Sequence, residues 1–484
     1  MRQCELQRIK GWFYLPEASD EKVPGILSWE PSKGATLELI GGFSPGPDYR
    51  ENPEGTGCVS HQIVGDVRSG TIFGVSDSGT PLSIWEAQRG NYTAGMSGQV
   101  REEFWESGWV CVGVHIGSSR DPDFSKATLV LDELYYLVDD ARFCPPQWAK
   151  IEGVDSPGEL LENGTRLTPY ILPVVGGYRA ECVHAETDET RYSISTRATR
   201  PWASVATEAM PALKLDMMTQ KQRRGQVIEL HVGADASIRL HEGAVGSAAD
   251  FTDRMGPVLD LIRLATFSTA DVEAISLKTT GDEDVSLLSR IGEPANPVKT
   301  HEPAAVVFDF SDVSLDSYLK TWKKLTQGRQ ADYAWSVIVG HCGYSPEIVE
   351  QYVSQVLAAA EGFHTWCLNA GGAELNPRLK ALHNMLPAEV GSRLNLDVDK
   401  WADWAVWARN HVAHGGSKRQ RFIKDSLEIL AVAKSVHLVT YLVVLCELGV
   451  PDEKICDALK DHPRLSAMVS YCEVVNQIHA SRVP

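Results

Sequence analysis

Residues 397–420 read DVDKWADWAVWARNHVAHGGSKRQ, and this stretch defines the C-terminal third of the chain. Asp397 is a suitable N-cap, and the pair Gly415 and Gly416 is a strong signal for the end of a helix. Between them, apolar residues recur at steps of three and four, which predicts a helix with one buried stripe: Trp401, Trp404, Ala405, Ala408 and Val412.

The end of this predicted helix carries four polar side chains, Arg409, Asn410, His411 and His414. An arginine is always charged and presents a planar fork of donors that fits phosphate oxygens. A histidine can take up or give a proton near neutral pH. Asn410 lies four residues before His414, so these two share one side of the last turn. The segment therefore joins an apolar anchoring face to a cationic tip.

Arg409 and His414 are five residues apart, which places them well off one face of an ideal helix. They converge if the helix ends or distorts near Gly415, or if two copies of the tip meet. The second arrangement is a composite site at a two-fold interface. The spacing therefore points to a homodimer.

An arginine, a histidine and an amide, with no acidic metal-binding cluster nearby, suggest metal-independent cleavage of RNA. The ribose 2′-hydroxyl attacks the adjacent phosphorus, the histidine removes its proton, and the arginine stabilises charge on the phosphoryl oxygens. A positioned acid or base contributes roughly 10²–10⁴-fold to such a rate. A pre-aimed donor to the oxyanion contributes about 2.7–4 kcal/mol. The expected product is a 2′,3′-cyclic phosphate, and no metal or organic cofactor is implied.

The pattern Arg409-Asn410-x-x-x-His414 resembles the signature of HEPN ribonucleases, an Arg followed after four to six residues by a His. The Trp-rich helix before it and the Gly-Gly pair after it strengthen the resemblance. The chain order, a long β-rich region before a helical unit, is similar to that of ApeA-type anti-phage defence proteins. The alternative interpretation is that Arg409 and the two His residues merely decorate a helix terminus, where cations suit the dipole.

This resemblance implies a catalytic role for Arg409 and His414, with Asn410 orienting the His or the phosphate. It also implies dimerisation through the HEPN domain and abortive infection by cleavage of host RNA, with transfer RNA as the leading substrate. A free nuclease would harm its host, so we expect low basal activity, a phage-derived trigger and regulation by the N-terminal region.

Two further residues are secondary candidates for this site. Glu361 lies in an apolar stretch of a predicted helix, where an unpaired carboxylate is costly, and Arg409 is a natural partner. The alternative is a surface Glu on the polar stripe. His411 is a second candidate for the base, but the resemblance favours His414. His364 has no catalytic partner at helical spacing and is interpreted as structural.

The net charge of −18 excludes a generally basic nucleic-acid binder, so RNA contacts must come from local patches. One candidate, Lys418, Arg419 and Arg421, directly follows the motif. These residues either bind RNA or form a solvated basic face. The chain has no apolar signal core at its N-terminus, and the run 429–450 is interrupted by charged residues. We therefore expect a cytoplasmic protein without a membrane span.

The overall pattern predicts an α+β multidomain protein. Residues 1–279 form a β-rich region, an antiparallel sandwich or a barrel-like fold with a helix at 249–267. Residues 280–313 mix Gly, Asp, Glu and Pro and are interpreted as a linker. Residues 314–484 form an all-α HEPN bundle, with helices at 314–326, 332–339, 346–368, 377–386, 397–413, 418–448, 452–459 and 463–481.

The N-terminal half carries no phosphate-binding glycine loop, nucleophile elbow or zinc-binding His pair. The prediction is thus an endoribonuclease with an N-terminal regulatory region. The alternative is a non-catalytic HEPN-like dimerisation or RNA-binding module, with the β-rich half as a sensor of a ligand or protein.

Overall fold

Fifteen strands and ten α-helices lie within the residues that the computed structural model describes. These are residues 6–43, 48–51, 58–61, 69–94, 100–131, 134, 137–138, 178–199, 231–241, 243–270, 272–290, 306–343, 345–368, 370–371, 374–414 and 426–478.

The first strands alternate buried and more exposed side chains, which is the period-two pattern of a sheet with one face on a core. On the second strand, for example, Leu27 and Trp29 are buried and Ser28 is half-buried. The strands of this part are β1 Gln7–Tyr14, β2 Val23–Glu30, β3 Gly34–Ile40, β4 Asp48–Glu51, β5 Cys58–His61, β6 Ser69–Ser76, β7 Pro81–Ala94 and β8 Val100–Ser107.

Six of these strands close into an antiparallel barrel in the order β6, β1, β2, β3, β8, β7, because β7 pairs with both β8 and β6. Strands β4 and β5 form a separate two-stranded sheet. Closure removes free edges and encloses an apolar core with Phe13, Trp29 and Trp105. Of the two arrangements predicted for the β-rich region, the structure has the barrel.

Strand β7 also continues the barrel into an open sheet. Its residues Leu82–Trp85 pair with β9, Trp109–Val112, whereas the part from Gln88 onward pairs with β8. Glu86 lies between these parts with a positive φ of 53°, which redirects the strand. The open sheet runs in the order β9 Trp109–Val112, β15 Asp284–Ser289, β14 Val272–Thr279, β10 Phe124–Leu131, β13 His231–Leu240, β12 Thr190–Thr199 and β11 Tyr178–Glu186.

Strand β15 corrects the predicted linker, because residues 284–289 lie inside the interval 280–313. Its side chains Val285, Leu287 and Leu288 are buried, and the strand pairs with β9 and β14 on its two sides. A short strand among Gly, Asp and Glu gives a weak local signal, and its central place depends on neighbours distant in sequence. Residues 139–177 and 200–230 of the predicted β-rich region lie outside the described residues.

Helix α1, Ala248–Thr266, is the helix predicted at 249–267. Ser247 caps its start, since its hydroxyl accepts the backbone N–H of Asp250 while the Asp250 carboxylate accepts the backbone N–H of Ser247. The helix contacts β10 and β13 of the open sheet. It therefore belongs to the β-rich region and presents its other side to the helical half.

The helical half is the predicted all-α region, so the α+β architecture is confirmed. The helix Ala388–Leu394 was not predicted, and the helix expected over 346–368 is divided into a helix, Val349–Gly362, and a π-helical turn, Phe363–Cys367. The helices are α2 Leu315–Leu325, α3 Arg329–Gly340, α4 Val349–Gly362, α5 Leu375–Asn384, α6 Ala388–Leu394, α7 Val398–His414, α8 Ser426–Leu448, α9 Asp452–Asp461 and α10 Pro463–Gln477.

Helix α8 is the centre of the bundle. It is long and apolar enough to cross a membrane, but most of its apolar stretch is buried inside the protein. It contacts α4, α5, α7 and α10. It is therefore a core helix, as its sequence predicts.

One hydrophobic core runs from the open sheet through α1 into the bundle. Polar contacts reinforce this joint: Tyr318 donates a hydrogen bond to the Pro257 carbonyl at 2.8 Å, and Tyr441 donates to the Leu264 carbonyl at 2.6 Å. The β-rich and helical halves are consequently packed as neighbours with a continuous apolar core between them.

Candidate active site

Helix α7 places the predicted tip by burying its opposite side. The Asp397 carboxylate accepts the backbone N–H of Lys400 at 3.3 Å, as expected of the N-cap. The Trp401 indole donates to the Ser435 hydroxyl on α8 at 2.9 Å in a buried environment. The predicted stripe lies in the core, with Val412 at its half-buried end: Trp401, Trp404, Ala405, Ala408 and Val412.

The helix is continuous through His414, so Arg409 and His414 lie on the same uninterrupted helical backbone. Five residues at roughly 100° each place them about 140° apart around the axis. One chain alone therefore does not bring both positions onto one face of α7. Residues 415–425, which include Lys418, Arg419 and Arg421, lie outside the described residues.

Glu361 at the end of α4 joins two arginines from other helices. Its Oε2 lies 3.3 Å from Nη2 of Arg409 on α7, and its Oε1 accepts a hydrogen bond from Nη1 of Arg378 on α5 at 2.9 Å. The side chains of Arg378, Glu361 and Arg409 are 13%, 26% and 49% exposed, respectively. The cluster thus holds Arg409 through Glu361 and leaves about half of the Arg409 side chain open to solvent.

Arg378 is the member of this cluster that sequence reasoning missed. It lies on a helix that was predicted, but its partner Glu361 is on another helix. No local spacing indicates such a pair, because the contact depends on how α4 and α5 pack. The one signal that the sequence offered was Glu361 itself, because a carboxylate in an apolar stretch needs cations to balance its charge.

The π-helical turn Phe363–Cys367 begins two residues after Glu361. The Thr365 hydroxyl donates to the Glu361 carbonyl at 2.8 Å, which competes with the regular backbone ladder. A Cβ at Gly362 would lie 3.2 Å from Cβ of Ala334 on α3, so the glycine permits close packing of the two helices. Such turns are frequent at functional sites.

Two histidines, His364 and His411, each have a buried ring nitrogen. His364 in the π-helical turn is buried, and burial and then the positive charge of Arg378 lower its pKa, so the neutral ring is favoured. The Nδ1 atoms of His364 and His411 are buried without a hydrogen-bond partner among the described residues. His364, interpreted from sequence as structural, thus lies close to Arg378, and Asn410 is half-buried beside Arg409 on α7.

Arg409 also lines an open cavity of about 700 Å³ between α5 and α7. Carboxylates of Glu361, Glu374 and Asp403 share its wall, so the cavity has a cationic position and an acidic part. No group of three or more His, Cys, Asp or Glu side chains in the described ranges is arranged to hold a metal ion. The chemistry that these residues offer is anion binding at Arg409 and hydrogen-bond acceptance around it.

A barrel extended by an open sheet, followed by a helical bundle with Arg and His five residues apart at the end of α7, defines a two-part protein of the HEPN class. The family model described as ApeA N-terminal domain 1 matches residues 8–322, and that described as Apea-like HEPN matches residues 315–454. The first match alone covers more than half of the chain. The chain therefore belongs to the ApeA-type HEPN family.

HEPN domains of this kind are typically nucleases, and the two matches together indicate a nuclease role in anti-phage defence. The motif from Arg409 to His414 lies inside the HEPN match. No curated protein matched the chain, and no solved structure matched it.

Proposed function

We propose that this protein is a metal-independent endoribonuclease that cleaves host RNA in the cytoplasm during abortive infection, with transfer RNA as the leading substrate. The observation that carries the proposal is the position of Arg409. It is half-exposed at the end of a helix whose opposite side is buried, it is held by Glu361, and it belongs to the Arg-x4-His pattern within the HEPN match.

In the proposed reaction, His414 removes the proton of a ribose 2′-hydroxyl, and the oxygen attacks the adjacent phosphorus. The bond from phosphorus to the 5′-oxygen of the next nucleotide breaks, and that oxygen takes up a proton from water. Arg409 donates hydrogen bonds to the phosphoryl oxygens, where charge increases in the transition state. The products are a 2′,3′-cyclic phosphate and a 5′-hydroxyl. Asn410 orients the His or the phosphate.

The proposed active unit is a homodimer through the HEPN domain. The helical path from Arg409 to His414 is continuous, so the two positions diverge by about 140° around α7. A two-fold axis beside the tip brings the Arg of one chain towards the His of the other. This arrangement supplies both groups to one phosphate without distorting either helix.

Regulation by the β-rich region is supported by a buried cluster at the joint. Asp260 on α1 accepts indole N–H groups of Trp335 on α3 at 2.7 Å and Trp322 on α2 at 3.2 Å. One turn earlier on α3, the Ala331 carbonyl accepts a hydrogen bond from the thiol of Cys367 in the π-helical turn at 3.6 Å. Helix α3 therefore connects α1 to the π-helical turn that follows Glu361, so a displacement of α1 can shift that turn.

The test is expression of the full chain with and without phage challenge, followed by analysis of total RNA. We expect growth arrest and RNA fragments with 2′,3′-cyclic phosphate ends, both lost in Arg409→Ala and His414→Ala. Loss of one such group lowers the rate roughly 10²–10³-fold. The matched control is Arg329→Ala, an exposed arginine at the start of α3, which should behave as the wild type.

Two outcomes separate this proposal from a non-catalytic module. RNA fragments that persist in both variants would assign the cleavage to another protein. A biological effect that persists without RNA cleavage would show that the bundle acts by binding alone. Because the core continues from the sheet into the bundle, point variants at the joint are better probes of regulation than an isolated helical fragment.

A further inference from the structure

The cavity beside Arg409 has walls of two different kinds. Helix α7 contributes Asp403, Val406 and Trp407 along one side, which are three and four residues apart and share a face. The start of α5 and the residue before it contribute Asn376 and Glu374 to the other side. The volume of about 700 Å³ lies within the range of small-molecule and nucleotide sites.

Trp407 gives this cavity an aromatic surface. Its side chain is 37% exposed, although Trp401 and Trp404 on the same helix are buried. A tryptophan that faces a cavity presents a flat π-surface on which a nucleobase can stack, and such stacking is tolerant of base identity. Trp407 is therefore suited to hold a base, while specificity must come from the polar wall.

The polar wall is dominated by hydrogen-bond acceptors. The Asn376 amide donates to Oδ1 of Asp403 at 2.5 Å, which orients the carboxylate and leaves its Oδ2 and the Asn376 amide oxygen as acceptors. Glu374 adds another carboxylate to the same wall. Carboxylates repel a phosphate and attract N–H donors, so the ligand group at this wall is the donor edge of a base.

We propose that this cavity binds a guanine base next to the scissile phosphate, which deepens the proposed ribonuclease function and rests on it. Asp403 and Arg409 are six residues apart on α7, a rise of about 9 Å. This is comparable to the span from the base edge to the phosphate of one nucleotide. With its phosphate at Arg409, the nucleotide stacks on Trp407 and directs its Watson–Crick edge at Asp403.

Guanine fits this acceptor wall better than the other bases. Its N1–H and N2–H₂ groups are adjacent, so they donate together to this wall, one to Oδ2 of Asp403 and the other to the Asn376 amide oxygen. Uracil has one N–H between two carbonyl oxygens, and these oxygens repel a carboxylate. A good bidentate contact corresponds to roughly tenfold to hundredfold discrimination.

The first test is calorimetric binding of guanosine 3′-monophosphate and uridine 3′-monophosphate to the full-length protein, since neither ligand can be cleaved. We expect the guanosine nucleotide to bind at least roughly tenfold more tightly. Asp403→Asn should remove most of this preference. Trp407→Ala should lower the affinity for both nucleotides roughly tenfold. Asp399→Asn is the matched control, because this exposed carboxylate lies one turn earlier on α7 and pairs with Lys380.

The second test maps cuts in an RNA oligonucleotide with one guanine, and in the same oligonucleotide with inosine at that position. We expect cleavage beside guanine and weaker cleavage beside inosine. In Asp403→Asn, cleavage should no longer depend on which of the two bases is present. Equal affinity for the two nucleotides, or no binding of either, would overturn the guanine site. So would a change of oligomeric mass in Asp403→Asn with unchanged base preference, which would make the cavity a subunit contact.

The two proposals fail separately in these experiments. Cleavage lost in Arg409→Ala but unaffected by base identity would leave the ribonuclease intact and remove the guanine site. Selective guanosine nucleotide binding without RNA cleavage under any challenge would keep the site and remove the nuclease.

Discussion

Asp260 and Glu361 are each at the centre of a cluster of donors from neighbouring helices, yet the two clusters differ in burial. Asp260 joins two indoles and Arg263 at the interface between the β-rich and helical halves, and its side chain is 14% exposed. Glu361 joins Arg378 and Arg409 at the candidate active site, and its side chain is 26% exposed. The larger difference lies in their partners.

The partners of Asp260 are neutral or enclosed, whereas Arg409 keeps half of its side chain in solvent. Burial raises the pKa of Asp260, opposed by the Trp335 hydrogen bond and the Arg263 charge. A buried carboxylate with fixed donors is costly to separate from them. A carboxylate that shares an exposed guanidinium can release it to a phosphate at little cost. The first cluster therefore stabilises the joint, and the second prepares a binding group.

The largest expected effect is at the joint. Asp260→Ala should lower the free energy of unfolding by about 3–5 kcal/mol, because the indole N–H groups of the half-buried Trp322 and the buried Trp335, together with Arg263, lose their acceptor. Urea denaturation followed by tryptophan fluorescence measures the change. The control is Asp316→Ala, which removes an exposed carboxylate paired with Lys320 on α2 and should have little effect. Equal midpoints for the two variants would contradict the structural role of Asp260.

Glu361→Gln tests the other cluster. The amide keeps the shape of the side chain but loses the charge that holds Arg378 and Arg409, so kcat for RNA cleavage should fall roughly tenfold to hundredfold. Kinetics on a fixed RNA substrate, together with urea denaturation, separate positioning from stability. An unchanged kcat, or a loss explained entirely by unfolding, would show that Glu361 does not position Arg409.

Lys434 on α8 extends the comparison to a buried cation, whose charge is opposite to that of Asp260 and Glu361. Burial lowers its pKa from 10.5 to about 8, and its ammonium lies 4.7 Å from the centroid of the Tyr352 ring. Lys434→Met should stabilise the protein at pH 7 by about 1–2 kcal/mol, since the burial penalty exceeds the lost cation–π contact.

The gain from Lys434→Met should depend on pH with a defined sign. Below about pH 8 the lysine is charged in both states and the penalty is complete. Between about pH 8 and 10.5 the unfolded chain binds more protons than the folded one, so the wild type recovers stability as pH rises. Denaturation midpoints of both proteins across this interval should therefore converge. A constant difference would contradict the assigned pKa shift.

The smallest effect should come from Arg409→Ala on stability. The side chain is half-exposed, and such ion pairs contribute roughly 0–1 kcal/mol. Arg263→Ala, in contrast, removes an enclosed partner of Asp260 and should be more destabilising. Urea midpoints of the two variants measure the contrast. If Arg409→Ala were the more destabilising change, its loss of activity could not be assigned to chemistry.

Much of the helical half could be predicted because its signals are local. The stripe from Trp401 to Val412 follows the helical period, and Asp397 caps the helix as its position predicts. The pattern from Arg409 to His414 also indicated the family without any tertiary information. Strand β15 in the β-rich half and helix α6 in the helical half were missed, because short segments with mixed residues form only against partners distant in sequence.

The sequence by itself determined the α+β order of the chain, the polar tip of α7 and the membership in the HEPN class. Periodicity, caps and motif spacing depend only on residues that are close together in the chain. Only the tertiary structure decided that β7 closes a barrel, that Arg378 shares Glu361 with Arg409, and that Asp260 joins Trp322 to Trp335. Such contacts join elements far apart in the chain. Their partners are selected by how apolar faces pack, which no local pattern encodes.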